Sequence, residues 1–339
     1  MIKYLLSFIA GALLVAAFGI YQKLATELPP SELASPESTQ AVERYMARLK
    51  PHLITLATGD ITERRDILDE YFYQPKIDEA RELYPVKESV VDIEGVYTEI
   101  FEPVSGVPAE NDRRVLINLH GGGFSMGART EGRLESIPVA SVAGMRVVSV
   151  DYRQGPEHKF PAASEDVATV YKALLKSHEP EQIGIFGCSA GGLLTAQTVA
   201  WLAAEGLPQP GAIGIFCAGA GDFLVGDAAL ISDTLKTDLG GGEPIEYFEG
   251  ASWQDPLVAP INHPDVLQQF PPSLIITSTR DLALSSAIAT HQRLVGVGAA
   301  SELHVYEGLT HYFFSDTGLP ESRQVFDVIA HFFNTRLAH

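Results

Sequence analysis

From Val90 onward the chain alternates short apolar runs with longer helical stretches, and this alternation restricts the fold more than any other feature. Strands are predicted at residues 90–96, 97–104, 115–119, 146–150, 182–186, 211–217, 273–277 and 302–306. Helices are predicted near residues 161–177, 190–204, 284–297 and 321–337. A hairpin followed by such alternation implies a mostly parallel sheet, because parallel neighbours need a crossover and the crossover helices cover both faces. The 339 residues leave room for one large α/β domain with appendages. Residues 221–254 carry no strand signal and include Gly240-Gly241-Gly242, so they read as an excursion from the sheet.

The N-terminus follows another logic. After Lys3, residues 4–21 carry no charge and include Leu5, Leu6, Phe8, Ile9, Leu13, Leu14, Val15, Phe18 and Ile20. The run falls between the apolar core of a secretion signal and a spanning helix, so it is read as either an export signal or a membrane anchor. Residues 28–38 (LPPSELASPES) read as an extended linker because of their Pro and Ser content. Residues 39–84 have helical spacing, with Val42, Tyr45, Met46 and Leu49 on one face and a second helix capped by Asp60 or Thr62.

Charge narrows the function classes. Lys and Arg number 24 against 43 Asp and Glu, a net charge of −19 that repels nucleic-acid phosphates and anionic lipid head groups. Nucleic acid is therefore not an expected partner. The two cysteines, Cys188 and Cys217, are too few for a disulfide framework, and no Cys/His cluster has zinc-ligand spacing, so no metal is expected.

Three places carry chemistry. Gly187-Cys188-Ser189-Ala190-Gly191 lies between an apolar strand and an apolar helix, which is the context of a nucleophile elbow. Small residues flank the serine so that neighbouring backbone can approach. His120-Gly121-Gly122-Gly123-Phe124 follows the strand at 115–119, and a match to its HGGG core is expected only about 0.007 times by chance in such a composition. Its exposed amides at Gly122 and Gly123, with that of Ala190, suit an oxyanion hole. His120 reads as an organiser of that loop. Near the C-terminus, Asp281 follows the strand at 273–277, and His311 follows the strand at 302–306 in EGLTHYFF. The order Ser189, Asp281, His311 is the one expected when all three project from one edge of an α/β-hydrolase sheet. Asp255 is the second candidate acid, although it precedes the penultimate strand.

With these motifs the chain resembles the hormone-sensitive lipase-like esterases of the α/β-hydrolase superfamily, marked by HGGG, GxSAG and a C-terminal EGxxHxF. The resemblance spans residues 39–337 and extends to Asp151-Tyr152-Arg153, Pro156-Glu157, Phe160-Pro161-Ala162 and Asp255-Pro256. It implies an eight-stranded, mostly parallel sheet flanked by helices, with a helical cap from about 39–84 and 221–254. The domain organisation implied is a hydrophobic segment at 1–27, a linker at 28–38 and an α/β-hydrolase domain at 39–339. The implied activity is cofactor-free hydrolysis of short to medium acyl esters on a Ser189, His311, Asp281 triad, with Phe124 and the cap lining an apolar substrate pocket. The implied partner is a small-molecule ester, and a homodimer stays open. Two residues depart from the family pattern: Cys188, where Asp or Thr is usual, and Tyr312, where a small residue is usual.

The same machinery serves amidases, lactonases and acyl-sugar deacetylases. A non-catalytic ligand receptor is the rival from another class, but such receptors typically lose a triad member, and all three residues are present here.

Overall fold

Alternating side-chain direction along short apolar strands requires two covered faces, and one eight-stranded sheet provides them. The computed structural model describes residues 29–235 and 246–339. The strands are β1 (Val86–Ile93), β2 (Val96–Pro103), β3 (Val115–Leu119), β4 (Arg146–Val150), β5 (Ile183–Cys188), β6 (Ala212–Phe216), β7 (Ser273–Arg280) and β8 (Ser301–Thr310). Their order across the sheet is β1-β2-β4-β3-β5-β6-β7-β8. The β1/β2 and β2/β4 pairs are antiparallel, and every other pair is parallel. The chain is thus an α/β-hydrolase fold.

Strands β3, β5 and β6 are buried along their whole length, which explains their largely apolar runs, broken in β3 by Asn118, which donates to Glu135 at 2.7 Å. Ile117, Ile185 and Ile275 point to one face, where they pack with Val167, Leu194 and Leu294 of the helices Ala162–Leu174, Ala190–Ala204 and Leu284–Gly296. Their neighbours Leu116, Phe186 and Ile276 point to the other face, against Ile137, Phe326 and Phe333 of the helices Glu131–Ala143 and Pro320–Arg336.

Before β1 the chain forms the helices Pro36–Leu49, Leu53–Thr58, Ile61–Ile67 and Gln74–Leu83, with a π-helical turn at Leu68–Tyr73. Asp60 caps Ile61–Ile67 in a capping box with Glu63. This layer joins the core of the second face through Tyr73, Ile77 and Ala80, the last two fully buried. Polar contacts tie it down further. Lys76 Nζ donates to Ser315 Oγ at 2.8 Å and pairs with Asp316 at 3.1 Å, and the Tyr84 hydroxyl donates to Thr317 O at 3.1 Å.

Three differences from the sequence reading have physical causes. Strand β1 begins at Val86 because the hairpin turn falls at Glu94-Gly95, both at positive φ (53° and 91°), as tight hairpins require. The polar residues Lys87, Glu88 and Ser89 are tolerated because β1 is an edge strand. The helix Glu131–Ala143 was not expected: it is buried nearly all round, so it lacks an apolar stripe, and Pro138 sits within it. Strands β7 and β8 run to Arg280 and Thr310, right up to Asp281 and His311.

Within 221–254 the described residues form the helix Gly226–Leu235 and a 3-10 turn at Glu246–Phe248, with no strand. The apolar run at 4–21 lies outside the described residues. Among the described residues, no helix is long and apolar enough to cross a membrane.

Candidate active site

The elbow is built by close backbone approach. Ser189 sits between β5 and the helix Ala190–Ala204 at φ 55° and ψ −121°, a strained conformation for a residue with a side chain. A Cβ at Gly187 would stand 2.2 Å from Leu119 O, and one at Gly191 only 1.7 Å from the same oxygen, so both positions admit glycine alone. The turn is anchored by Ser189 N, which donates to Phe216 O at 2.8 Å.

The acid and histidine arrive from the ends of β7 and β8. His311 Nε2 lies 2.9 Å from Ser189 Oγ, and His311 Nδ1 lies 2.7 Å from Asp281 Oδ1. Asp281 is 2% exposed and accepts two further bonds at 2.8 Å, from Ala283 N to Oδ1 and from Thr277 Oγ1 to Oδ2. Burial acts to raise its pKa, but the charge and hydrogen bond of His311, with the bonds from Ala283 and Thr277, hold it below the usual carboxylate range. Asp281 is thus an anion at neutral pH. The alternative acid, Asp255, accepts from Leu257 N at 2.9 Å and serves its own turn.

The HGGG loop follows β3. Gly122 and Gly123 adopt φ values of 90° and 62°. Tyr152 braces the loop: its hydroxyl donates to His120 O at 2.7 Å, and its ring stacks on the His120 ring at 4.2 Å. Burial pushes the His120 pKa down, and its Nδ1 lies 2.8 Å from Gly121 O, which suits a neutral organiser of the loop. From the N-terminal layer, Arg65 donates to Ser125 O at 2.7 Å and Gly155 O at 2.8 Å while pairing with Glu157 at 2.6 Å. Asp151 pairs with Arg129 at 2.8 Å, and Arg153 with Asp166 at 2.8 Å. The DYR and PE residues therefore form turns and ion pairs around the loop.

Phe124 corrects the sequence reading. It was expected on the wall of a substrate pocket, but it is fully buried, stacked on Tyr247 at 4.8 Å with Phe248 edge-on at 5.0 Å. A phenylalanine directly after three glycines gains more by entering this aromatic cluster than by facing solvent. It anchors the loop to the segment after residue 245.

Cys188 and Cys217 are free and fully buried, and burial pushes both thiols up. Cys217 Sγ accepts from Tyr312 N at 3.4 Å, immediately beyond His311. Ligand atoms of Cys217, Asp281 and His311 lie within 4.8 Å of one another, the one such group among the described residues. Two of its members are already engaged with each other and Ser189, an arrangement suited to proton transfer. Sequence reasoning missed Glu131, Glu135, Tyr73 and Arg65 around the loop. A glutamate opening a helix normally signals a solvated first turn, and nothing in the sequence marks these two as buried.

A serine at positive φ on a strand-to-helix turn, with a histidine and an acid from the last two strand ends, defines the class of α/β-fold hydrolases. The comparisons agree. Residues 116–315, more than half of the chain, match the model of the family described as alpha/beta hydrolase fold, and the chain belongs to that family. It is 30% identical over 237 residues to an acetyl-hydrolase of Streptomyces hygroscopicus, covering 67% of this chain and 78% of that one. It is 29% identical over 262 residues to the esterase LipU of Mycobacterium tuberculosis, covering 69% and 82%. Among solved structures it resembles the esterase E25, with a TM-score of 0.79, 31% identity and coverage of 92% and 98%. The likeness to hormone-sensitive lipase-like esterases read from the motifs accords with these relatives.

Proposed function

We propose that the chain, a carboxylic ester hydrolase, cleaves short to medium acyl esters through an acyl-enzyme on Ser189. The observation carrying this reading is the unbroken line from Ser189 Oγ through His311 to Asp281, at 2.9 Å and 2.7 Å. His311 removes the serine proton as Oγ attacks the ester carbonyl, while Asp281 fixes the ring with Nε2 facing the serine and supports the imidazolium that forms. The amides of Gly122, Gly123 and Ala190 hold the tetrahedral oxyanion. His311 then gives its proton to the leaving alcohol, and a water activated by the same ring releases the acid. The acetyl-hydrolase and esterase names of its relatives favour an ester over an amide.

A series of p-nitrophenyl esters from acetyl to palmitoyl, hydrolysed by the wild type and by Ser189→Ala, tests this. The variant is expected to lose activity by on the order of 10⁴ to 10⁶ on every ester, with the wild type best on the shorter chains. A folded Ser189→Ala protein keeping more than about a tenth of the activity would overturn the serine mechanism. A wild-type optimum at palmitoyl would overturn the chain-length assignment.

A further inference from the structure

Glu131 has no part in these steps, yet its carboxyl is closely moulded to the loop that follows β3. It opens the helix Glu131–Ala143 and is 2% exposed, although a carboxyl is seldom buried without a dedicated partner. Its oxygens face two different parts of the molecule. Oε2 accepts from the Tyr73 hydroxyl of the N-terminal layer at 2.8 Å. A Cβ at Gly121 would stand 2.1 Å from Oε1, and one at Gly127 would stand 2.7 Å from Oε2. Both ends of the loop are therefore shaped around this one side chain. The preceding residue adds a second grip, because Thr130 Oγ1 donates to Asp69 Oδ1 at 2.7 Å.

We propose that Glu131 is a positioning residue: its carboxyl fixes the HGGG loop to the N-terminal helices, and its negative charge supports the imidazolium of His311. The inference rests on the serine mechanism above. Asp69, Tyr73 and Lys76 act on Glu131 from the N-terminal layer and His311 from the loop after β8, where Tyr312 also feels its charge. The Cβ at Gly121 that Oε1 crowds would also stand 3.0 Å from O of Cys188, the residue before Ser189. Glu135 lies on its own helix, while Tyr152 and Cys188 approach from the strand ends. Burial, opposed by the Tyr73 bond and the charges of His311 and Lys76, pushes the Glu131 carboxyl up to about 7. Glu131 adds its charge to burial in raising Glu135 well above its ordinary value. Once ionised, it favours a protonated His311, because opposite charges stabilise each other at short range.

The test is the pH profile of kcat/KM on a p-nitrophenyl ester for the wild type, Glu131→Gln, Glu131→Ala and Tyr73→Phe. Glutamine keeps the size and still accepts from Tyr73 but cannot ionise. Its acid limb is expected to have a midpoint about 0.5 to 1 pH unit below that of the wild type. Tyr73→Phe, which removes a bond to the ionised form, should shift the midpoint the same way by less. Glu131→Ala opens space behind Gly121 and should lower kcat about tenfold or more with KM little changed, a loss that Glu131→Gln largely restores. Unmoved midpoints in both Glu131→Gln and Tyr73→Phe overturn the proposal, since a purely structural carboxyl would not touch the profile. Should Glu131→Gln fail to fold, Tyr73→Phe carries the test alone. Ser189→Ala assayed alongside separates the two readings: an active Ser189→Ala sinks the serine mechanism, whereas an inactive one with unmoved midpoints sinks only the role of Glu131.

Discussion

Replacing Asp281 with asparagine removes a charge while leaving the shape, and the surrounding bonds determine how the new amide sits. Oδ1 accepts from both His311 Nδ1 and Ala283 N, and Oδ2 accepts from Thr277 Oγ1. An amide oxygen at the Oδ1 position keeps the first two bonds, and its NH2 can donate to Thr277, whose hydroxyl simply turns. The flipped amide would oppose its NH2 to the Ala283 N–H, leaving a buried donor unpaired at a cost of about 1 to 3 kcal/mol. The unflipped orientation wins, so His311 keeps the tautomer that accepts from Ser189. What is lost is the attraction between carboxylate and imidazolium. At a charge separation of about 4 Å and an effective dielectric near 20, that attraction is about 4 kcal/mol, or roughly 10³ in rate. The same loss makes His311 harder to protonate, so the acid limb of the variant should move to lower pH. Both readouts come from kcat/KM against pH on one p-nitrophenyl ester. A loss below about tenfold, or a large loss with the acid limb unmoved, would refute Asp281 as the partner of the base.

Glu131→Gln also carries a stability prediction with a definite sign. The folded carboxyl is raised from 4.5 to about 7, so between those values the native state holds a proton that the unfolded chain releases, and wild-type stability falls as pH rises through 7. The shift corresponds to at most about 3 kcal/mol, so urea melts should show the variant gaining on the wild type between pH 5 and pH 8, and an equal difference at both pH values would contradict a buried, titrating Glu131. A chain starting at Pro29 should hydrolyse esters in detergent-free buffer. Deletion through Tyr84, which strips buried Tyr73, Ile77 and Ala80 from the core, should abolish soluble expression. Soluble yield and activity of the two truncations check both statements, and a soluble longer deletion with an unchanged substrate profile would show that the helical layer is dispensable.

The legible parts of this molecule are those where one residue type meets a strict local demand. Gly187 and Gly191 announce themselves because any Cβ would strike Leu119 O, and strands β3, β5 and β6 because burial on both faces demands largely apolar sequence. The illegible parts depend on what arrives from far along the chain. Phe124 faces inward because Tyr247 and Phe248, more than a hundred residues later, form a ring cluster around it. The helix Glu131–Ala143 escapes periodicity because both the sheet and the helix Pro320–Arg336 cover it. Glu131 is buried against Tyr73 of the N-terminal layer and Glu135 against Asn118 of β3, and no local pattern encodes either contact.

The two departures from the family pattern belong to this same buried layer. Cys188 and Tyr312 pack in the apolar cluster of the second face, and both feel the charges of Glu131 and Glu135. An aspartate at 188 would put a third carboxyl among these two, where desolvation and like charges both oppose ionisation. A small neutral thiol avoids that conflict. Tyr312, beside His311 at φ 54°, turns a large ring into the space that a small residue would leave beside Phe314. Replacing Cys188 by aspartate alone would therefore set a buried carboxyl against both Glu131 and Glu135.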